Sequence, residues 1–364
     1  SPPVAAGLHA DLLTRLQRVS DLTVIARRSV MRYEDTEEPL ARVARKLGAR
    51  WVVTADVQVA GDRVQVRPRL VDPRSGAERW SDSYRRALAA DSVFAVQGEI
   101  TGRIVDALDA RLTERERARV AHQSTESLEA LQLYAEGRRQ LARRRFTEAR
   151  LPGAVVQEAV RNFREAIRRD SSFARAWAGL ADLAALYESD LYPRDIPDSV
   201  IAPEVSQEEA ARRALSLDPN LAEAHASLGY AHLENQDALA ALGRLQSALA
   251  LNPSYWEAHY WLGSLYFRIG YPEKALEHVK SAVELNPRHG RARHLLYDAY
   301  LATGKAERSL EEARLQQRMG LEGVSAVGGE IRALYDLERY GEAETLAEQH
   351  IEELEDGATW KEIL

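Results

Sequence analysis

Three short strings decide how this chain is read: Leu217-Asp218-Pro219-Asn220, Leu251-Asn252-Pro253-Ser254 and Leu285-Asn286-Pro287-Arg288, spaced 34 residues apart. Self-similarity at a fixed period of this size marks supersecondary units that stack on one another, because no single unit can bury its apolar face alone. The register holds at positions not used to find it. A unit begun at Ala222 puts Leu228-Gly229 in a first helix, Ala241, Leu245 and Ala248 in a second, and Pro253 at its exit. A unit begun at Trp256 puts Leu262-Gly263, Tyr266, Ala275, Val279, Ala282 and Pro287 at matching offsets. Small residues at Gly229, Gly263, Ala241 and Ala275 let two antiparallel helices approach closely, and Pro253 and Pro287 cannot continue the helices that end before them.

This pattern resembles the tetratricopeptide repeat, and the resemblance covers roughly residues 127–355. Units begun at Gly290 and Val324 keep the step with weaker chemistry, retaining Leu296 and Tyr300 in one and Ala343 with Ala347 in the other, as an outermost repeat that faces water requires. Upstream, Ala159, Phe163 and Ala166 match a second helix, and Trp177, Leu180 and Ala181 match the first helix of the next unit. Insertions interrupt the array at 146–155, with Pro152-Gly153, and at 187–206, with Pro193, Pro197 and Pro203.

The first 120 residues follow a different rhythm. Leu8 to Val19 is helix-periodic, Leu22 to Ala26 is an expected short strand, and Leu40 to Leu47 an expected helix stopped at Gly48. Trp51 to Val59 alternates, Gly61-Asp62 turns, and Val64, Val66, Pro68 and Leu70 alternate back. After a turn at Pro73–Gly76, Glu78, Trp80, Asp82 and Tyr84 share one face of a third strand, so a three-stranded meander is expected. Asp91 is the expected N-cap of a long helix through Phe94, Val96, Ile100, Ile104, Val105 and Leu108. The segments Gly7–Leu13, Leu22–Arg27, Ala49–Val53, Val57–Val64, Leu70–Asp72, Glu78–Trp80 and Phe94–Gln97 resemble the TolB-like N-terminal domain. That resemblance implies an α/β domain followed by repeats, often lying beyond a membrane helix and attached to a Ser/Thr kinase, a nucleotide cyclase or a winged-helix regulator. The chain departs from it by lacking the opening apolar strand and Asn-containing loop, which leaves the expected sheet one strand short unless upstream sequence supplies it.

The expected fold class is therefore α+β. A small N-terminal α/β domain with a mixed or antiparallel sheet occupies 1–120, and an all-α tetratricopeptide-repeat solenoid occupies 121–364.

Composition narrows the function. Charged residues are 29% and hydrophobic ones 45% of the 364 residues, a globular balance. No apolar run approaches the roughly 18 residues of a membrane span, and the opening Ser-Pro-Pro-Val-Ala-Ala-Gly reads as an internal start, so any membrane association is expected through an upstream segment. The absence of cysteine removes disulfides, thiolate nucleophiles and Cys-ligated metals. The net charge of −7 argues against a dedicated nucleic-acid binder. The first 120 residues carry a surplus of basic groups and the rest a surplus of acidic ones, an arrangement that favours attraction between the two parts. Arg138, Arg139, Arg143, Arg144 and Arg145 lack interleaved aromatics and read as a solvated helix face.

No chemistry-bearing motif is present. His225 and His259 fall at equivalent repeat positions and read as packing groups, and no His-Glu-x-x-His string occurs. Glu208-Glu209, Glu311-Glu312 and Glu352-Glu353 point to different azimuths on a helix. Gly320, Gly323, Gly328 and Gly329 have no following Lys-Ser or Lys-Thr to complete a phosphate loop. No catalytic, cofactor-binding or metal-binding residue is assigned; no enzyme activity and no cofactor are expected.

What remains is a binding role. In a stack of such units the first helix of each lines the concave wall, and its second, fifth, ninth, twelfth and thirteenth residues face the groove. That rule selects Glu223, Tyr230, Leu233, Glu257, Tyr260, Phe267, Arg268, Arg291, His294, Asp298 and Leu301. Leu233, Phe267 and Leu301 recur as an apolar column beside two tyrosines and two arginines, the residue types that dominate interfaces; packing between neighbouring helices, or against the chain's own Pro-rich insertion at 187–206, is the competing reading of the column. The expected partner is a protein or peptide, with self-association a further option and nucleic acid excluded. Two roles follow: a scaffold or sensory part of a bacterial assembly, or an input module that reads a small ligand for an attached kinase, cyclase or transcription regulator. The resemblance implies a periplasmic or other extracytoplasmic location, with the cytoplasm as the alternative.

Overall fold

The computed structural model describes residues 2–31, 33, 36–87, 89–142, 153–187, 205–321 and 323–350. Arg143, Arg144, Arg145 and nearly all of both expected insertions lie outside the described residues. The chain divides into two compact units, with the division at Tyr255/Trp256, inside the repeat array.

In the first unit, strand β1 (Val52–Ala60) turns through Gly61, at φ 60°, and pairs antiparallel with β2 (Arg63–Val71) from Val52↔Val71 to Ala60↔Arg63. On the other side of β2 the single expected strand is broken into β3 (Glu78–Ser81) and β4 (Tyr84–Ala87). Pro68 explains the break. It has no N–H to offer the ladder, and its carbonyl, which points to that same side, accepts from the Asp82 N–H at 3.2 Å where the strand opposite is interrupted.

Helices α1 (Pro2–Gln17), α2 (Arg27–Met31), α3 (Leu40–Leu47), α4 (Ala90–Ala107) and α5 (Glu114–Ala121) surround this sheet in sequence. Val64, Val66 and Tyr84 bury one sheet face against Val93, Val96, Ile100 and Ile104 of α4 and Leu8 and Leu16 of α1. The N-cap of α4 is Ala89, ahead of the expected Asp91 and without a side-chain hydrogen bond. At α5, Thr113 and Glu116 form a reciprocal capping box, and Glu116 also accepts from the Ser20 N–H at 2.9 Å. Burial alone would raise the Glu116 carboxyl, but hydrogen bonds from Ser20 and Thr113 prevail and hold it at about 2.

The expected strand Leu22–Ala26 does not join the sheet. Its backbone is satisfied elsewhere: the Val24 N–H donates to Ser254 Oγ at 3.2 Å, and the Ser254 hydroxyl donates to the Leu22 carbonyl at 3.0 Å. An extended apolar segment needs partners for its polar backbone, and here a repeat loop supplies them.

Among the described residues, three helix pairs complete the first unit: α6 (Leu128–Ala142) with α7 (Gly153–Arg169), α8 (Ala174–Tyr187) with α9 (Gln207–Leu217), and α10 (Ala222–Glu234) with α11 (Ala238–Leu251). The second unit holds three more: α12 (Trp256–Arg268) with α13 (Pro272–Leu285), α14 (Gly290–Ala302) with α15 (Ala306–Arg318), and α16 (Gly323–Asp336) with α17 (Tyr340–Gln349). The small residues lie at the crossings. A Cβ on Gly137 or Gly179 would stand 2.8 Å from the Phe163 ring, and one on Gly229 would stand 2.6 Å from Leu245 Cγ. The recurrent Leu-Asx-Pro string has a local cause as well. Asn252 is buried and its Oδ1 accepts from the Ser254 N–H at 3.1 Å, while Asp218 accepts from the Asn220 N–H at 2.9 Å. The Asx side chain thus folds back over the proline to close the turn between units.

Candidate interaction surface

The second, fifth, ninth, twelfth and thirteenth positions do not all face the same environment. In the first unit, Glu223 and Leu233 are 7% and 4% exposed, and Tyr230 is half-buried. Glu223 lies in the field of Arg18 and Arg175 rather than in an open groove.

In the second unit the wall is more accessible. Arg268 and Arg291 are exposed, and Glu257, Tyr260, Phe267, His294, Asp298 and Leu301 are half-buried. Phe267 and Tyr260 pack on the cluster of Leu276, Val279 and Leu296, and Leu301 packs on Leu310, Val327 and Leu334. The apolar column therefore also serves helix packing in this unit, while the charges and ring edges stay at the surface. Asp298 joins two of the wall groups, with His294 Nε2 at 3.3 Å and Arg332 Nη1 at 3.1 Å. Tyr260 meets the His289 ring edge-on at 5.4 Å, and His289 in turn lies 4.5 Å from the Trp256 ring. The offsets drawn from α10, α12 and α14 did not extend to Arg332 of α16. Its position, 34 residues after Asp298, is the signal that would have found it.

A second periodic site was also missed. The fourth position of a first helix and the twenty-third position of the unit face each other, and they carry different chemistry in three successive repeats. In the first, His225 lies near the charge of Arg244; its imidazole is lowered by burial first and further by that charge. In the next, His259 and His278 bring Nδ1 to Nδ1 at 3.2 Å, and burial lowers the His278 imidazole. In the third, Arg293 forms a buried ion pair with Glu312. The two histidines can share one proton but not hold two without repulsion.

These shifts set a pH dependence. His9, on α1, is lowered from 6.5 to about 4 by burial and by Arg27, and His225 and His278 move the same way. A folded value below the unfolded one means that the unfolded chain binds extra protons below pH 6.5, so stability falls as pH drops through 6.5 toward 4. The urea midpoint is expected to fall between pH 7 and pH 5 by an amount equivalent to roughly 1–3 kcal/mol. A His9→Leu variant should show a flatter profile, and identical profiles would contradict the assignment.

Among the described residues no group of three or more His, Cys, Asp or Glu side chains could hold a metal ion, and no helix is long and apolar enough to cross a membrane.

Paired antiparallel helices in 34-residue phase, with Gly229 and Gly263 at close crossings, are the arrangement of tetratricopeptide repeats. A family model described as tetratricopeptide repeat matches residues 227–290. Over 180 residues the chain is 32% identical to a protein of Rhizobium meliloti (strain 1021) described as putative adenylate cyclase 3. The match covers 50% of this chain and 29% of that protein, so the chain spans less than a third of this curated relative. Similar solved structures include Pseudomonas aeruginosa pilF, at 19% identity and TM-score 0.45 over 57% of this chain and 89% of that one. The Cut9–Hcn1 hetero-tetramer of the APC/C gives 18% identity and TM-score 0.49 over 74% and 52%.

Proposed function

We propose that this chain is a non-catalytic protein-interaction module of a bacterial assembly that holds a polypeptide segment against the inner wall of its repeats, chiefly at α12, α14 and α16. The observation that carries the reading is the accessible face of Tyr260, Arg268, Arg291, His294 and Arg332 on successive first helices. Aromatic and Arg anchors are the side chains that contribute most at interfaces, and an inner wall with a purely structural role does not need exposed arginines there. The repeats begin after a TolB-like domain over 1–120 in this reading, and the module lies outside the cytoplasm, which fractionation of tagged cells tests.

The test of the wall is retention. Wild-type protein and a folded Tyr260→Ala/Arg268→Glu variant are compared on native extract, with retained proteins identified by mass spectrometry. Loss of specific partners from the variant is the expected result. If every partner kept by the wild type is kept by the variant, the wall is not the binding surface.

A second reading is favoured by the cyclase relative. There the chain is the input module of an attached catalytic domain or transcription regulator, and its sheet domain senses a small ligand. The sequence of the whole gene product separates the two, since this reading requires a cyclase, kinase or DNA-binding domain in the same polypeptide.

A further inference from the structure

Helix α1 has two faces of opposite character. Leu8, Leu12 and Leu16, with Val19 beyond the helix end, recur at helical spacing and pack on the sheet core. The other face presents Asp11, Thr14, Arg15 and Arg18, and all four are buried. Asp11 and Thr14 lie against the repeats, whereas Arg15 and Arg18 donate to the Val120 and Arg119 carbonyls of α5. Arg175, the second residue of α8, donates to Asp11 Oδ1 at 3.1 Å and to Thr14 Oγ1 at 2.7 Å. Its guanidinium stands 4.8 Å from the Tyr134 ring of α6. Arg15 holds the other oxygen of Asp11 at 2.5 Å, so one carboxylate is shared between the helix's own arginine and the wall's.

Arg175 and Glu223 occupy the second position of α8 and α10, the offset that Glu257 and Arg291 occupy in the second unit. In the first unit this inner-wall position is covered by the chain's own helix. The contact is not saturated: Glu223 Oε2 and Arg175 Nε are buried without a hydrogen-bond partner. Buried polar atoms left unsatisfied are uncommon and costly, and a buried ionic contact gains little net free energy over its desolvation. The apolar face of α1 carries no such penalty. Beside the packing of Gly7 on Leu131 of α6, the ionic part of its grip on the wall, at Arg175, is specific but weakly favourable.

We propose that the inner wall of α6, α8 and α10 is a docking surface for a helix that presents a carboxylate and a hydroxyl one turn apart, and that α1 is its resident ligand. A partner helix with the same face, Asp or Glu followed three residues later by Thr or Ser, competes with α1 for Arg175. Entry of that helix frees Asp11 and Thr14 of α1 from Arg175, while Leu22 and Val24 stay bonded to Ser254. This deepens the peptide-binding reading above but uses a different stretch of wall, so loss of one does not remove the other.

The test uses the full chain and a labelled synthetic peptide of residues 2–19, followed by fluorescence anisotropy. In Asp11→Ala/Thr14→Val the resident helix loses its recognition face while Arg175 remains, and the peptide is expected to bind at least tenfold more tightly than to wild type. Adding Arg175→Ala should abolish that gain. A folded double variant, shown by a cooperative melt, that binds no better than wild type overturns the proposal, as does binding that survives Arg175→Ala. Should the double variant not fold, wild-type protein is titrated with the native peptide and with the same peptide carrying Asp11→Ala. Binding of the native peptide alone supports the proposal, and no difference between the two peptides overturns it.

Discussion

Gly263→Leu is expected to destabilise the second unit by about 1–3 kcal/mol, read as a drop in its urea midpoint. A Cβ at this position would lie 2.3 Å from Val279 Cγ2, 3.3 Å from Val279 N and 3.4 Å from the Ala275 carbonyl oxygen. The first of these atoms belongs to a stiff β-branched side chain and the other two to backbone, so no rotamer change relieves the overlap. Even Gly263→Ala should lose stability, although alanine in an exposed helix interior is worth roughly 0.5–1 kcal/mol over glycine. Gly243 supplies the control. It sits in α11, where a Cβ would meet nothing within 4 Å, and Gly243→Ala is expected to gain that propensity. Equal gains at 243 and 263 would mean that α12 and α13 do not cross closely at Gly263.

The repeats were legible because each of their requirements is local or strictly periodic. Gly263 and Val279 are 16 residues apart within one unit, and Gly229 and Leu245 repeat the same relation one period earlier. Asx-Pro turns announce themselves in four residues. The sheet was legible where alternation is clean, as in β1 and β2, and misread where a single residue changes the ladder. Pro68 was visible in the sequence, and a proline in a central strand should have signalled a break opposite it. The strand expected at 22–26 failed for a different reason. Its apolar alternation is real, but its hydrogen-bond partner is Ser254, more than two hundred residues away, and no local pattern encodes that choice.

The groove positions show the same limit. Their offsets follow from repeat geometry, but whether a given position faces solvent depends on what else the chain lays across it. Glu223 and Glu257 hold the same offset in consecutive units. One is buried in the field of Arg18 and Arg175 and the other is half-buried. The amphipathic pattern of α1 showed its apolar face, and its buried polar face could not be read without knowing that a second layer covers it.

The largest effect is expected at the third repeat's facing pair. Arg293 and Glu312 are both nearly buried, and Arg293 Nε also donates to the Pro287 carbonyl at 2.5 Å, tying the pair to the Leu-Asn-Pro turn. Burial raises the Glu312 carboxyl, and Arg293 opposes this only in part. Arg293→Met therefore leaves a carboxylate in a site that already disfavours charge, and a loss of about 3–5 kcal/mol at pH 7 is expected. Glu312 can escape by taking a proton. Its folded pKa then stands further above the unfolded one, so the penalty is largest at high pH and shrinks as pH falls toward 4.5. The difference between variant and wild type in urea unfolding should accordingly be smaller at pH 5 than at pH 7.5. Arg293→Met/Glu312→Leu should recover most of the loss, because an apolar pair of similar volume escapes the desolvation cost, with a residual deficit of ~1 kcal/mol for the unbonded Pro287 carbonyl. A single variant as stable as wild type, or a deficit that grows on acidification, would show that the pair is hydrated in solution rather than sealed between α14 and α15.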